Sequence, residues 1–422
     1  MFSFFARRPK TARLWPGAAA VSALALGAAA MYIFAAKPAV SPAVVAADPQ
    51  VQKVAAANTD FGFRLLKQLA HETPSQNVFY SPFSVTSALT LTLNGAGGRT
   101  RIDMAAALGL SGVTADQTDH AYGLLLPSLE NPDPQVTLTV ANALWAGRGT
   151  TFNPRFRARS ERYFGARVQT LDMASPAAAA TINGWVSEKT HGKIGELVTP
   201  RDIATSPAVL TNAVYFHGQW SHAFEKSDTQ DGPFTLASGK PKTLPLMSQE
   251  AKFSYTETKQ FQAVSLPYGQ GRMSLYVLLP KSGVTAADVV NSLDPASWNN
   301  ALGTMKPAQV ALTLPRFRAN FQATLNAPLI ALGMGSAFGS GADFTPMGLR
   351  GGFIGAVIHK AVLEVDEEGT VAAAATAVVM TKSAIRMPEK PIVMRVDHPF
   401  VCLLRDNTTG TLLFAGVIQD PE

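Results

Sequence analysis

Apolar and polar positions along this chain follow two periods, and the change of period organises it. From Phe61 to His71 the apolar residues recur at helical spacing. Asn77 to Ser84 reads as a strand ending at Pro82, where a second helix opens with Ser81 placed to cap it. That helix continues through Ala88 to Asn94, until Gly95-Ala96-Gly97-Gly98 stops it, and Thr181 to Lys189 reads as a further helix. Val136 to Trp145, Ala208 to Phe216, Met273 to Leu279 and Val310 to Leu314 read as apolar strands. Ile392 to Val396 and Phe400 to Leu404 are expected to form a closing strand pair. Helices come first and strands dominate later, which predicts an α+β fold.

One stretch fits neither pattern. Gly369 to Thr381 is thirteen residues without a charge, a proline or a large aromatic, followed by Lys382-Ser383-Ala384-Ile385-Arg386 and the proline-bearing run Pro388 to Pro391. In an extended chain Thr370, Ala372, Ala374, Thr376 and Val378 share one face, and Val371, Ala373, Ala375, Ala377 and Val379 the other. Both faces are small enough to pass between two existing strands, so the segment can be a loop in one state and a strand in another. A buried helix, favoured by the alanines, and a permanent core strand are the competing readings.

Ahead of the domain, Arg7, Arg8, Lys10 and Arg13 precede an apolar run from Leu14 to Ala36, and Val45-Ala46-Ala47 offers a small-residue cleavage site. Residues 1–47 therefore read as an export signal or, uncut, as a membrane anchor. Residues 48–57, in an alanine- and valine-rich stretch, read as a flexible tether. The leader holds five basic residues and no acidic one, so its removal takes the net charge from +6 to +1. A near-neutral domain lacks the electrostatic footprint of nucleic-acid binding. Cys402 is the only cysteine, which excludes an internal disulfide, and it sits in an apolar run that reads as a buried strand. No Gly-x-Ser-x-Gly elbow, His-Glu-x-x-His zinc helix or phosphate-binding loop is present, so no enzyme, metal or cofactor is expected.

Several motifs then carry a family resemblance. Asn77-Val78-Phe79-Tyr80-Ser81-Pro82-Phe83-Ser84, Gly95 to Thr100, Ile182 to Val186, Thr190 to Ile194, Leu210 to Phe216 with Trp220, Leu314-Pro315-Arg316-Phe317, His359-Lys360-Ala361 and Asp397-His398-Pro399-Phe400 resemble serpin motifs, in serpin order. The resemblance implies one domain over residues 58–422, with three β-sheets, about eight to nine helices and an exposed reactive loop over 367–399. It also implies a suicide-substrate inhibitor of serine proteases; the leader is what points to export, to the periplasm or beyond the cell. A non-inhibitory carrier, chaperone or plain protease substrate is the alternative.

Residue by residue, the resemblance makes Glu367, Gly369, Thr370 and Ala372, Ala373, Ala374 and Ala375 the hinge of the loop. Val371 departs from the glutamate often found there. Counting as in the family gives Ser383-Ala384 as the scissile bond, with Lys382-Ser383 as the alternative. The first suits elastase- or subtilisin-like proteases and the second trypsin-like ones; a cysteine protease is a further class of partner. Ser81, Ser84, Asn212 and His359 resemble the polar cluster that holds the main sheet closed. Trp220 and Lys360 resemble landmarks near the point where the loop enters. The stretch from Ser111 to Gln135, the equivalent of the helix that binds glycosaminoglycans in some relatives, has no lysine or arginine, so no such cofactor is expected.

Overall fold

The computed structural model describes residues 40–130, 132–369 and 390–421. Helices α1 (Pro42–Ala47) and α2 (Pro49–Glu72) lead to strand β1 (Val78–Tyr80), then to α3 (Pro82–Leu93), α4 (Gly98–Ala107) and α5 (Ala115–Glu130). Next come β2 (Val136–Gly147), α6 (Pro154–Phe164), β3 (Arg167–Leu171), α7 (Pro176–Lys189), α8 (Pro200–Ile203) and β4 (Ala208–Gly218). The middle of the chain is strand-rich: β5 (Gln230–Thr235), β6 (Pro241–Glu257), β7 (Phe261–Tyr268) and β8 (Met273–Pro280). Helices α9 (Ala286–Ser292) and α10 (Pro295–Thr304) precede β9 (Lys306–Pro315), β10 (Phe317–Thr324) and α11 (Asn326–Leu329). The last strands are β11 (Ile354–Val365), β12 (Ile392–Arg395), β13 (Phe400–Asp406) and β14 (Leu412–Ile418).

Two sheets organise these elements. The main sheet has five strands in the order β10-β11-β4-β2-β3, and the other has nine, running β1-β14-β13-β8-β7-β6-β9-β12 with β5 paired to β6. Strand β6, seventeen residues long, pairs with β5 and β9 and then, at its end, with β7. It thereby joins into one sheet what the resemblance implied as two. Eleven α-helices occur among the described residues, eight of them of seven residues or more.

Strand alternation gives the main sheet two covered faces. Leu144, Val214, Val357 and Ala361 point toward α3, whose twelve residues are all buried, as expected for a helix at the centre of the core. Trp145, Ala213, Ile358 and Val362 point the other way, against Ile182, Trp185 and Val186 of α7. Ser81 caps α3 as the sequence predicts, its hydroxyl accepting from the Ser84 amide at 3.1 Å, with Pro82 at the first helical position.

Two expectations are corrected. Residues 48–57 are not a flexible tether. Asp48 caps α2 by accepting from the amides of Gln50 and Val51, Pro49 opens the helix, and Val51 and Val54 are buried. Their spacing continues the period of Phe61 and Leu65, a signal that the alanine-rich composition obscured. The closing strand pair is also not a pair: β12 runs parallel to β9, whereas β13 lies between β8 and β14.

Helix α1 falls within the stretch expected to belong to the leader, yet Val45 is 0% exposed. A cut after Ala47 would remove it. A chain beginning at Asp48 is therefore expected to be less stable than one beginning at Val40 by about 1.5–3 kcal/mol, read as a lower midpoint in urea unfolding. Equal midpoints would show that α1 contributes nothing to the domain.

Candidate functional site

The main sheet contains one parallel contact at its centre. Strand β11 runs parallel to β4, with Ile358 opposite Thr211, His359 opposite Asn212 and Lys360 opposite Ala213. A chain that turned back from the end of β11 and entered between the two would run antiparallel to both. Parallel pairing is the slightly weaker kind; β2–β3 at the sheet's edge is parallel too, but of the two interior contacts, β11–β4 and β4–β2, only β11–β4 is.

A polar cluster crosses that seam on the α3 face. Asn142, Asn212 and His359 stand side by side on β2, β4 and β11 and are fully buried. The Asn212 amide donates to the Ser84 hydroxyl and to the Asn142 side-chain oxygen. Its own oxygen accepts from Nδ1 of His359. Nε2 of His359 accepts from the Ser81 amide at 3.2 Å, and the Ser81 hydroxyl donates to the Leu413 carbonyl at 2.6 Å. The structure thus brings Ser81, Ser84, Asn212 and His359 together. It adds Asn142, whose amide donates to Ser87 at 3.0 Å. The signal for Asn142 was a lone amide in the apolar half of its strand, between Val140-Ala141 and Ala143-Leu144-Trp145.

These bonds fix His359 as the neutral tautomer, one nitrogen donating and the other accepting. Burial lowers its pKa from 6.5 to about 3. A base depressed in the fold stays unprotonated while the unfolded chain takes up a proton, so stability is lost as pH falls from about 6.5 toward 3. The loss attributable to His359 is about 1.4 kcal/mol per pH unit within that window. Denaturation of the parent and of His359→Gln at pH 7.5 and pH 5 should show a shallower decline in the variant; parallel declines would remove His359 from the account.

At the end of β11 the chain is held by a set of separable contacts. The Glu367 carboxylate, 3% exposed, accepts from Nη2 of Arg316 at 2.5 Å and from the Thr229 hydroxyl at 2.7 Å. Burial alone would raise its pKa; these hydrogen bonds outweigh that and hold it below the usual carboxylate range. The Glu367 carbonyl accepts from the Phe224 amide at 2.8 Å, and Lys226 pairs with Glu368 at 2.5 Å. Arg316, in the Leu-Pro-Arg-Phe motif, is the hinge partner that sequence reasoning did not identify.

Trp220 caps the same end. Its indole nitrogen donates to the Asp366 carbonyl at 2.9 Å, its amide to the Glu368 carbonyl at 3.0 Å, and its ring stacks on Tyr268 with centroids 4.2 Å apart. Gly369 has φ +126°, and an added Cβ would lie 2.3 Å from the Gly218 carbonyl oxygen, so only glycine fits beside β4 here. Lys360 is not part of this end. Strand alternation turns it to the face opposite His359, where its amino group donates to the Glu196 carbonyl at 2.8 Å. Thr370, Ala372, Ala373, Ala374 and Ala375 of the hinge, and Lys382, Ser383 and Ala384 at the bond, lie outside the described residues.

The chemistry available elsewhere is limited. Burial pushes the Cys402 thiol up to about 12, so it carries no thiolate at neutral pH. Among the described residues no group of three or more His, Cys, Asp or Glu could hold a metal ion, and no helix is long and apolar enough to cross a membrane.

The described residues thus show a parallel seam crossed by buried hydrogen bonds, with the end of β11 held beside it by a separate set of contacts. Comparison with known proteins gives the class. The family model described as Serpin (serine protease inhibitor) matches residues 56–421. The leukocyte elastase inhibitor of Sus scrofa is 35% identical over 383 residues, 88% of this chain and 100% of the relative. Serpin B9 of Homo sapiens is 34% identical over 375 residues, covering 86% of this chain and 98% of the relative. Among solved structures, the thermophilic serpin tengpin in its native state superposes with a TM-score of 0.79 at 26% identity, covering 88% of this chain and 95% of that one. Human thyroxine-binding globulin complexed with thyroxine superposes with a TM-score of 0.80 at 25% identity, covering 88% and 99%. The chain belongs to the serpin family.

Proposed function

We propose that this serpin inhibits serine proteases as a suicide substrate. The observation that carries the reading is the parallel β11–β4 seam, from which the chain continues at Gly369 into a run of small residues. The protease serine attacks the carbonyl carbon of Ser383, the bond to Ala384 breaks, and the new amine leaves with a proton. An ester to the enzyme remains. Freed at that end, residues from Thr370 onward enter the seam as a strand antiparallel to both neighbours. One parallel ladder is replaced by two antiparallel ones, and a run of small apolar side chains leaves water. Thirteen residues at about 3.3 Å each carry the attached protease roughly 43 Å, far enough to distort its catalytic site before water completes the hydrolysis.

Support for an inhibitory role comes from the elastase-inhibitor relative and from the run Gly369 to Thr381, which holds no charged or large aromatic residue. Ser383 fits elastase- or subtilisin-like targets, and Lys382 would redirect the loop to trypsin-like ones. The basic and apolar pattern of residues 1–47 supports a working site outside the cytoplasm, in the periplasm or beyond, or at a membrane if that segment stays uncut.

The reading is tested by incubating the protein with elastase-, subtilisin- and trypsin-like proteases and running denaturing gels. A band at the summed mass is expected, and the mass of the C-terminal fragment separates Ser383 from Lys382. Cleaved loop with every protease still active would instead favour a carrier or plain substrate.

A further inference from the structure

We infer that the surface at the C-terminal foot of the loop, built from Lys259, Gln262, Lys281, Val393 and Arg395, is a second docking surface for the attacked protease, and that the face it accepts is acidic around an apolar contact. The inference rests on the inhibitory reading above.

The surface is a basin of about 640 Å³ with Leu279 and Pro280 in its lining. Val393, on β12, is 65% exposed and stands among the few large apolar side chains left in water. Among the described residues nothing covers it. Its backbone is nonetheless fixed: the Val393 carbonyl accepts from the Gln262 side chain, whose amide also donates to the Tyr255 hydroxyl at 2.9 Å. The apolar contact is therefore presented on a rigid edge strand, the last of the nine-stranded sheet.

Charge around the basin is uneven. Lys259, Lys281 and Arg395 line it with Glu257 as the single carboxylate, and Lys390 is exposed just before β12. Glu257 is taken by Lys281, and Arg395 pairs with Asp397 at 3.2 Å. Lys259 has no carboxylate within 4 Å among the described residues. The excess is positive, so the complementary partner face is negative.

Geometry makes contact between this surface and the protease hard to avoid. Lys390 lies seven positions after Ser383, which limits the distance from the bond to Lys390 to about 25 Å. A protease of roughly 230 residues has a radius of gyration of about 17 Å. Seated on the bond, its body reaches the basin. Cations there steer an acidic protease face into place, an effect on association rate that salt screens.

Lys259→Glu and Val393→Asp test this. Both side chains are exposed, so unfolding midpoints should match the parent. With a protease whose surface beside its cleft is acidic, each variant should form the denaturant-stable complex about ten-fold more slowly at low salt. The Lys259→Glu deficit should shrink toward the parent rate at high salt. The proportion of inhibitor trapped should not change, and a protease with a basic face should show no such slowing. Equal rates for parent and variants at every salt concentration, with complex forming normally, would overturn the docking surface alone. Absence of any complex with the parent would overturn the inhibitory reading and the docking surface together.

Discussion

Thr370→Arg is expected to turn the inhibitor into a substrate: the loop is cut, the protease goes free, and no denaturant-stable complex accumulates. Position 370 follows Gly369, which is packed against Gly218 and Gln219 at the end of β4, so it is the first residue that must enter the seam. An arginine there would carry an unpaired charge between two strands, at a cost of roughly 3–5 kcal/mol. That slows entry by about two to four orders of magnitude relative to ester hydrolysis. Thr370→Val keeps the shape and should still inhibit. The ratio of trapped to merely cleaved inhibitor on a denaturing gel measures the outcome, and an arginine variant that traps as well as the parent would refute strand entry as the mechanism.

Removing the latch should have the second largest effect. Asn212→Ala deletes three hydrogen bonds at once and strands buried groups on Ser84, Asn142 and His359. Each buried polar group left without a partner costs about 1–3 kcal/mol, so the uncut protein should lose on the order of 3 kcal/mol. The loss falls on the two strands that must separate. The variant should therefore lose inhibitory activity faster on warm storage, as well as unfold at lower temperature. Asn142→Ala, which leaves the Asn212 contacts to Ser84 and His359 in place, should show a smaller version of both changes. An Asn212→Ala protein with the parent's melting point and shelf life would show that the cluster does not hold the seam shut.

Local pattern made the helices around Ser81 and Thr181 and the strands at Val136, Ala208 and Met273 readable, because each has a boundary residue or an unbroken apolar run. The serpin motifs then brought Ser81, Ser84, Asn212 and His359 together although they are far apart in the chain. What stayed hidden depends on pairing rather than on composition. Strand β12 looks like a partner for β13 only if sequence neighbours pair, and β6 joins two sheets through its length, which no short motif records. Lys360 carries the same motif as His359, but alternation sends the two to opposite faces of one strand. Arg316 was in view as part of a motif and gained its role only when the fold set it against Glu367. Helix α2 began earlier than expected because alanine and valine near a proline suit a linker as well as a helix, and only the burial of Val51 and Val54 decides.

The nine-stranded sheet has a consequence for the order of events in the cell. Strand β14 lies between β1 and β13, so residues 78–80 wait for residues 412–418 before they find their partner. Ribosomes add about 5–20 residues per second, and this edge of the sheet stays open for roughly 17–70 s while the rest of the 422-residue chain is made. For that interval β1 has no strand to pair with, so the nine-stranded sheet is completed only by the last strand the ribosome delivers.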